Sequence, residues 1–285
     1  MKTSSPPKWQ STGSTASSAP VTDRRGGETV IEVRGVGKEF EGSSTSRVVA
    51  LEGVDLTIGQ GELIGLVGPS GCGKSTLLNL IAGLDNYTSG DIVVEGERVV
   101  GPRQIGYVFQ QDTLLPWRDV KSNAEFALEI RGAPAKERRE VASRWLDKLG
   151  LRDFHDHYPH QLSGGMRKRL QLATVLAVEP RILLMDEPFG PLDAQTRTLI
   201  EDDFINLWRE SGMTALFVTH DLAEAIAMCT RVVIISARPG RVKSEYEITL
   251  PAHQSTTERR LEPEFQDFYA SIWADLREEV GTRLE

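Results

Sequence analysis

Cysteine is scarce: the chain has two, Cys72 and Cys229, in 285 residues. Two cannot build a disulfide framework, and the usage fits a reducing compartment such as the cytosol. Long apolar runs are missing as well. The longest are strand-length stretches at 182–185 and 232–235, whereas a bilayer span needs about twenty residues, so any membrane role has to come through a partner. Positive charge is in deficit, with Lys+Arg 33 against Asp+Glu 41 and a formal net charge of -8. Binding to a nucleic acid backbone or an anionic membrane surface needs clustered Lys and Arg and is not expected. No apolar stretch follows the first charged residue, so no secretory leader is expected. No internal repeat is visible. The remaining composition, 39% hydrophobic and 26% charged, is that of a globular chain with ample material for a core.

Against these absences stands Gly68-Pro69-Ser70-Gly71-Cys72-Gly73-Lys74-Ser75, which fits G-x-x-x-x-G-K-[ST], the phosphate-cradling loop. Average residue frequencies give roughly one accidental match per hundred chains of this length, before flanking elements are required. Those elements are present: residues 62–67 read as a buried strand entering the loop, and residues 74–82 as a helix leaving it. Backbone N–H groups of such a loop turn toward phosphate oxygens, and the helix N-terminus adds its positive dipole end. The spacing therefore predicts a nucleoside triphosphate here. Lys74 would reach the β- and γ-phosphates and Ser75 would ligate Mg²⁺.

The rest of the chain reads as strands and helices around that loop. Residues 1–27 are rich in Ser, Thr, Pro and Gly and are expected to be a disordered tail. Strands are expected at 29–34, 48–58, 90–96 and 105–109, with Phe40 in a loop before the Gly42-Ser43-Ser44 turn. Phe40 is either a surface aromatic or a ring that stacks on a base. Leu114-Leu115-Pro116-Trp117 places large apolar groups in a loop, either folded inward or offered to another protein. Residues 120–149 are helical with a break at Gly132 and Pro134, which inserts a helical block between strands of the nucleotide domain.

Leu162-Ser163-Gly164-Gly165-Met166 precedes a helix expected over 167–178, and is either a plain cap or an anion site. The run Arg167-Lys168-Arg169 reads as a solvated face. Residues 181–185 form a buried strand ending in Asp186 and Glu187, at the sheet edge where ligands bind in open α/β folds. Beside a triphosphate site, Asp186 would hold the Mg²⁺ shell and Glu187 would polarise the attacking water. A helix over 192–210 ends at Gly212, and the strand at 214–219 carries His220 at its end, with Asp221 starting the next helix. A lone His is more often structural, but this one lies on the ligand edge of the sheet. Strands follow at 231–236 and 242–248. A last helix over 262–280 shows Phe265, Phe268, Ile272, Trp273 and Leu276 as one docking face.

Taken together, these motifs resemble the ATP-binding subunit of ABC transporters in order and spacing, over about 30–250. The resemblance implies an α/β P-loop NTPase with a mixed, mostly parallel core sheet, an antiparallel β subdomain and an inserted helical subdomain at about 112–175. Residues 28–250 form the ATPase domain and 251–285 a helical extension. Gly68, Pro69, Ser70, Gly71, Cys72, Gly73, Lys74, Ser75 and Thr76 then bind ATP, with Phe40 stacking on adenine. Ser75, Gln110 and Asp186 serve Mg²⁺. Gln110 is the Q-loop glutamine, Glu187 the catalytic base, His220 the switch residue and Asp193 the D-loop aspartate. Ser163, Gly164 and Gly165 are the signature that reaches a partner's nucleotide, which implies a homodimer. Met166 departs from the commonest glutamine, and Gly190-Pro191 from the usual small pair. These details are most similar to importers of nitrate, sulfonates and taurine. Such a subunit sits peripherally on the cytoplasmic face, against a transmembrane permease served by an extracytoplasmic solute-binding protein. A soluble ATPase of the same family would bring a basic face, a second ATPase domain or a coiled-coil insertion. A P-loop kinase would not need Ser163-Gly164-Gly165.

Overall fold

The computed structural model of the protein describes residues 28–41, 47–190, 192–251 and 253–281. The tail at 1–27, the Gly42-Ser43-Ser44 turn and Pro191 lie outside them. Two sheets organise the chain. Strands β1 (Thr29–Glu41), β2 (Arg47–Gly59), β4 (Ser89–Val94) and β5 (Glu97–Arg98) form an antiparallel sheet in the order β2-β1-β4-β5. Strands β3 (Leu63–Val67), β6 (Gly106–Val108), β7 (Ile182–Asp186), β8 (Thr214–Thr219), β9 (Arg231–Ile235) and β10 (Val242–Glu247) form the second, ordered β10-β9-β3-β8-β7-β6. Its strands run parallel except β10, which pairs antiparallel with β9 at the edge.

Every residue of β3, β7, β8 and β9 is buried. Both faces of this sheet are covered, so its strands are near-continuous apolar runs. The two-residue period still sorts the side chains. Leu63, Val67, Leu183, Met185, Ala215, Phe217, Val232 and Ile234 enter one core. Their alternates Ile64, Leu66, Ile182, Leu184, Leu216, Val218, Val233 and Ile235 enter another, shared with the antiparallel sheet and helix α1 (Lys74–Ile81).

The helical block comprises α2 (Val120–Ile130), α3 (Ala135–Lys148) and α4 (Gly164–Leu176). Asp119 caps α2 by accepting from Ser122 N, and Gly132 at φ 77 turns the chain before Pro134 starts α3. Helix α5 (Ala194–Ser211) ends at Gly212, whose φ of 65 is the left-handed closure glycine allows. Helix α6 (Leu222–Met228) follows β8.

Two expectations need correction, and one helix was not expected. Strand β1 runs on to Glu41, so Phe40 lies on a strand rather than in a loop. Irregular register with β2 between Val33 and Glu39 breaks the alternation that would have shown this. A short helix α7 (Thr256–Leu261) precedes α8 (Pro263–Gly281), announced by the reciprocal capping of Ser255 and Glu258. On α8, Phe265, Ile272 and Leu276 are buried and Phe268 packs beside them, but Trp273 points outward at 44% exposure, stacked on Tyr269.

Candidate nucleotide-binding and hydrolysis site

The loop between β3 and α1 is shaped by close approach. A Cβ on Gly68 would sit 2.5 Å from Ile235 O, and one on Gly73, at φ 104, would sit 2.6 Å from Leu51 Cδ2. No side chain fits either position. Cys72 is buried in the second core. Lys74 is buried along the loop, its Nζ donating to Gly68 O at 2.7 Å and Pro69 O at 2.9 Å. Its ammonium is thus held inside the curve of the backbone.

Ser75, one position further on, donates from Oγ to Asp186 Oδ1 at 2.9 Å. Burial pushes the Asp186 carboxyl up, against the pull of that hydroxyl, and neighbouring Glu187 adds to the rise. A cation held there would relieve this burial. A hydroxyl and a carboxylate oxygen are hard donors suited to Mg²⁺, which keeps water and phosphate oxygens as its other ligands. Among the described residues no cluster of three or more His, Cys, Asp or Glu could hold a metal.

Glu187 follows in a left-handed conformation, φ 43, which costs a residue with a side chain of order 1–3 kcal/mol. Its N–H donates to Val218 O at 3.0 Å, pinning the turn to β8. Its carboxylate accepts from Gln110 Nε2 at 2.9 Å through Oε2, and His220 Nδ1 lies 3.5 Å from Oε1. Residues from the ends of β6, β7 and β8 therefore meet on one carboxylate.

The remaining expected residues divide. Ser163 caps α4, accepting from Met166 N at 3.2 Å, so the helix starts at Gly164 rather than at 167. Ser163 and Gly164 are exposed; Gly165 is buried against Thr196. Asp193 is exposed and caps α5, its carboxyl held below the usual range by the Thr196 N–H. Phe40 is 41% exposed with Lys38 Nζ 4.8 Å from its ring centre. Of the apolar loop after Gln110, Leu114 packs inward and Trp117 stands out at 71% exposure.

Reading residues 167–169 as a solvated face misses Lys168. It is buried, because it shares the helical stripe of Gly165, Gln171 and Leu172, and that spacing was the available signal. Lys168 and Gln171 reach under the Gln110 loop. A cavity of about 950 Å³ lies away from all these residues, at the edge where β7 and β8 begin, walled by Arg181, Thr214 and Trp145.

A phosphate loop on a mostly parallel sheet, with hydroxyl, carboxylates and histidine gathered at the strand ends, defines a P-loop NTPase. Known proteins narrow the class. The ABC transporter family matches residues 51–190. An uncharacterized ABC transporter ATP-binding protein of Methanocaldococcus jannaschii is 44% identical over 248 residues, 87% of this chain and 90% of that one. The nitrate import ATP-binding protein of Synechocystis is 44% identical over 253 residues, 87% of this chain and 95% of that one. The taurine import ATP-binding protein of Yersinia pestis is 44% identical over 214 residues, 75% of this chain and 82% of that one. A bacterial ABC transporter cassette solved as a dimer superposes with a TM-score of 0.69 at 33% identity, covering 76% of this chain and 98% of that one. The chain belongs to the ATP-binding proteins of ABC transporters.

Proposed function

We propose that the protein hydrolyses ATP to power an ABC importer for small anionic or zwitterionic solutes: nitrate, taurine or aliphatic sulfonates. The observation that carries the hydrolytic reading is the convergence of Gln110 and His220 on the Glu187 carboxylate. Phosphoryl transfer to water needs little covalent help from a protein beyond positioning and charge neutralisation. Glu187 accepts the proton of the attacking water, and Gln110 and His220 hold that carboxylate in register. Lys74 and the α1 N-terminus face the phosphates. Ser75 and Asp186, with Gln110, would hold Mg²⁺, whose chemistry is to neutralise developing phosphate charge.

Ser163 and Gly164 are exposed at the start of α4, which leaves their free N–H groups able to meet the triphosphate of a second copy. Two chains then clasp two nucleotides in an isologous pair. Trp117 and its neighbours supply a surface for a cytoplasmic helix of a permease. No helix among the described residues is long and apolar enough to cross a membrane, which suits a peripheral seat on the cytoplasmic face. A solute-binding protein outside acts only through the permease, and no nucleic acid is involved. The named activities of the nitrate and taurine relatives support the choice of solutes.

Co-expression with the neighbouring permease tests the reading. The two are expected to co-purify and to take up labelled nitrate, taurine or an alkanesulfonate only with Glu187 intact. An active ATPase that captures no permease and supports no uptake would leave a soluble ATPase of the same family.

A further inference from the structure

We propose that Lys168 and Gln171 are positioning residues that clamp the Gln110 loop to the first turns of α4, so that the Ser163 end of that helix and the Glu187 carboxylate move as one unit. The inference rests on the reading of Gln110 and Glu187 as hydrolytic groups. Lys168 Nζ donates to Phe109 O at 3.2 Å and to Gln171 Oε1 at 2.8 Å. Gln171 turns its Nε2 the other way, 3.2 Å from Phe109 O, 3.2 Å from Gln111 O and 3.3 Å from Thr113 Oγ1. Gln110 is thereby bracketed on both sides, its neighbours' carbonyls fixed while its own amide reaches Glu187. On the surface, Arg167 adds an ion pair to Asp112 at 3.2 Å.

Packing alone does not account for this arrangement. Lys168 and Gln171 are 5% and 3% exposed. Burial drives the Lys168 ammonium down to about 8, with Asp112 and Asp186 pulling the other way, so the buried cation weighs against stability. An apolar side chain of the same volume would hold α4 to the sheet at lower cost. What apolar side chains at 168 and 171 cannot do is donate to the Phe109 and Gln111 carbonyls that flank Gln110. The loop itself is exposed at Gln110, Gln111, Asp112 and Thr113. Without the clamp it would exchange these bonds for water and release Gln110 from a fixed position. A shift of the Ser163 end of α4 is therefore transmitted to Gln110 through side chains five and eight residues along the same helix.

Lys168→Met and Gln171→Leu keep volume and remove the donors; Lys168→Arg keeps donors. In the full chain, each apolar variant is expected to lower kcat about tenfold with KM for ATP within about twofold, since binding groups are untouched and one hydrolytic group is misplaced. Lys168→Arg is expected to restore most of the loss. Combined with Gln110→Ala, the apolar substitutions should add no further loss, because the clamp acts only through that side chain. Unchanged kcat in Gln171→Leu, or losses that multiply in the Gln110→Ala background, overturns the proposal. If Lys168→Met fails to fold, Gln171→Leu, which removes no charge, decides it. Should Glu187→Gln and Gln110→Ala themselves leave kcat unaltered, the hydrolytic reading fails first and the clamp with it. Large losses in those two beside a silent Gln171→Leu remove the clamp alone.

Discussion

Gln110 Nε2 lies 2.9 Å from Glu187 Oε2, joining the loop after β6 to the turn after β7 across 77 residues of chain. Neither residue is deeply buried, and the turn that presents Glu187 is in a conformation residues with side chains rarely adopt. Strain maintained at a carboxylate that faces two other polar groups is where function is sought.

The Ser75 hydroxyl bridges α1 to Asp186 and is a neutral donor of the proposed Mg²⁺ site. Ser75→Ala is expected to raise the Mg²⁺ concentration for half-maximal ATPase by about 10–100-fold. A Mg²⁺ titration of phosphate release measures it. An unaltered midpoint would remove Ser75 from the metal.

Gly165 has no room for a methyl group: its Cβ would stand 2.5 Å from Thr196 Cγ2. Thr196 is short and branched, so it cannot swing away freely. Gly165→Ala is expected to destabilise the chain by about 1–3 kcal/mol. Removing that methyl with Thr196→Ser should recover most of it. Urea unfolding of the single and double variants tests the pair; no rescue would place the clash elsewhere.

Arg259 on α7 donates to Ala227 O at 2.6 Å, Met228 O at 3.2 Å and Cys229 O at 3.3 Å, closing the last turn of α6. It is buried. Arg259→Met leaves those carbonyls without that donor, and a loss of about 2–3 kcal/mol is expected by chemical denaturation. A change below about 0.5 kcal/mol would mean that other groups can close the helix.

Burial pushes the Glu224 carboxyl up to about 8, opposed by Thr219 and Arg197 and assisted by Glu201 and Asp221. In the unfolded chain it ionises near 4.5. Between these values the folded protein keeps a proton the unfolded chain has released, so this group's contribution falls as pH rises from about 4.5 to about 8 and is level above. Glu224→Gln removes the slope. Melting curves should show the variant gaining on the parent from pH 5 to pH 8; parallel curves would deny the shift.

The sheet and the phosphate loop were legible because their signals are local. Buried parallel strands appear as unbroken apolar runs, and Gly68, Gly73 and Gly212 stand where close approach or a left-handed turn admits little else. Asp186, Glu187 and His220 were legible by position, each closing or following a strand on the ligand edge. What failed were charges whose partners are far along the chain. Lys168 looked solvated among basic neighbours, yet its partner is the Phe109 carbonyl, 59 residues away. Arg259 has no reading in the sequence at all, because its acceptors lie about thirty residues back. Trp273 misled through its apolar character, although an aromatic ring can cover surface without entering a core.

In the proposed cycle two copies of the chain close over nucleotide. Light scattering of the Glu187→Gln full chain, with and without saturating MgATP, measures this. A mass twice that of one chain with MgATP, falling to one chain without it or when Ser163 is replaced by Arg, is the predicted result. A Glu187→Gln chain that binds ATP yet stays monomeric would contradict the clasped pair.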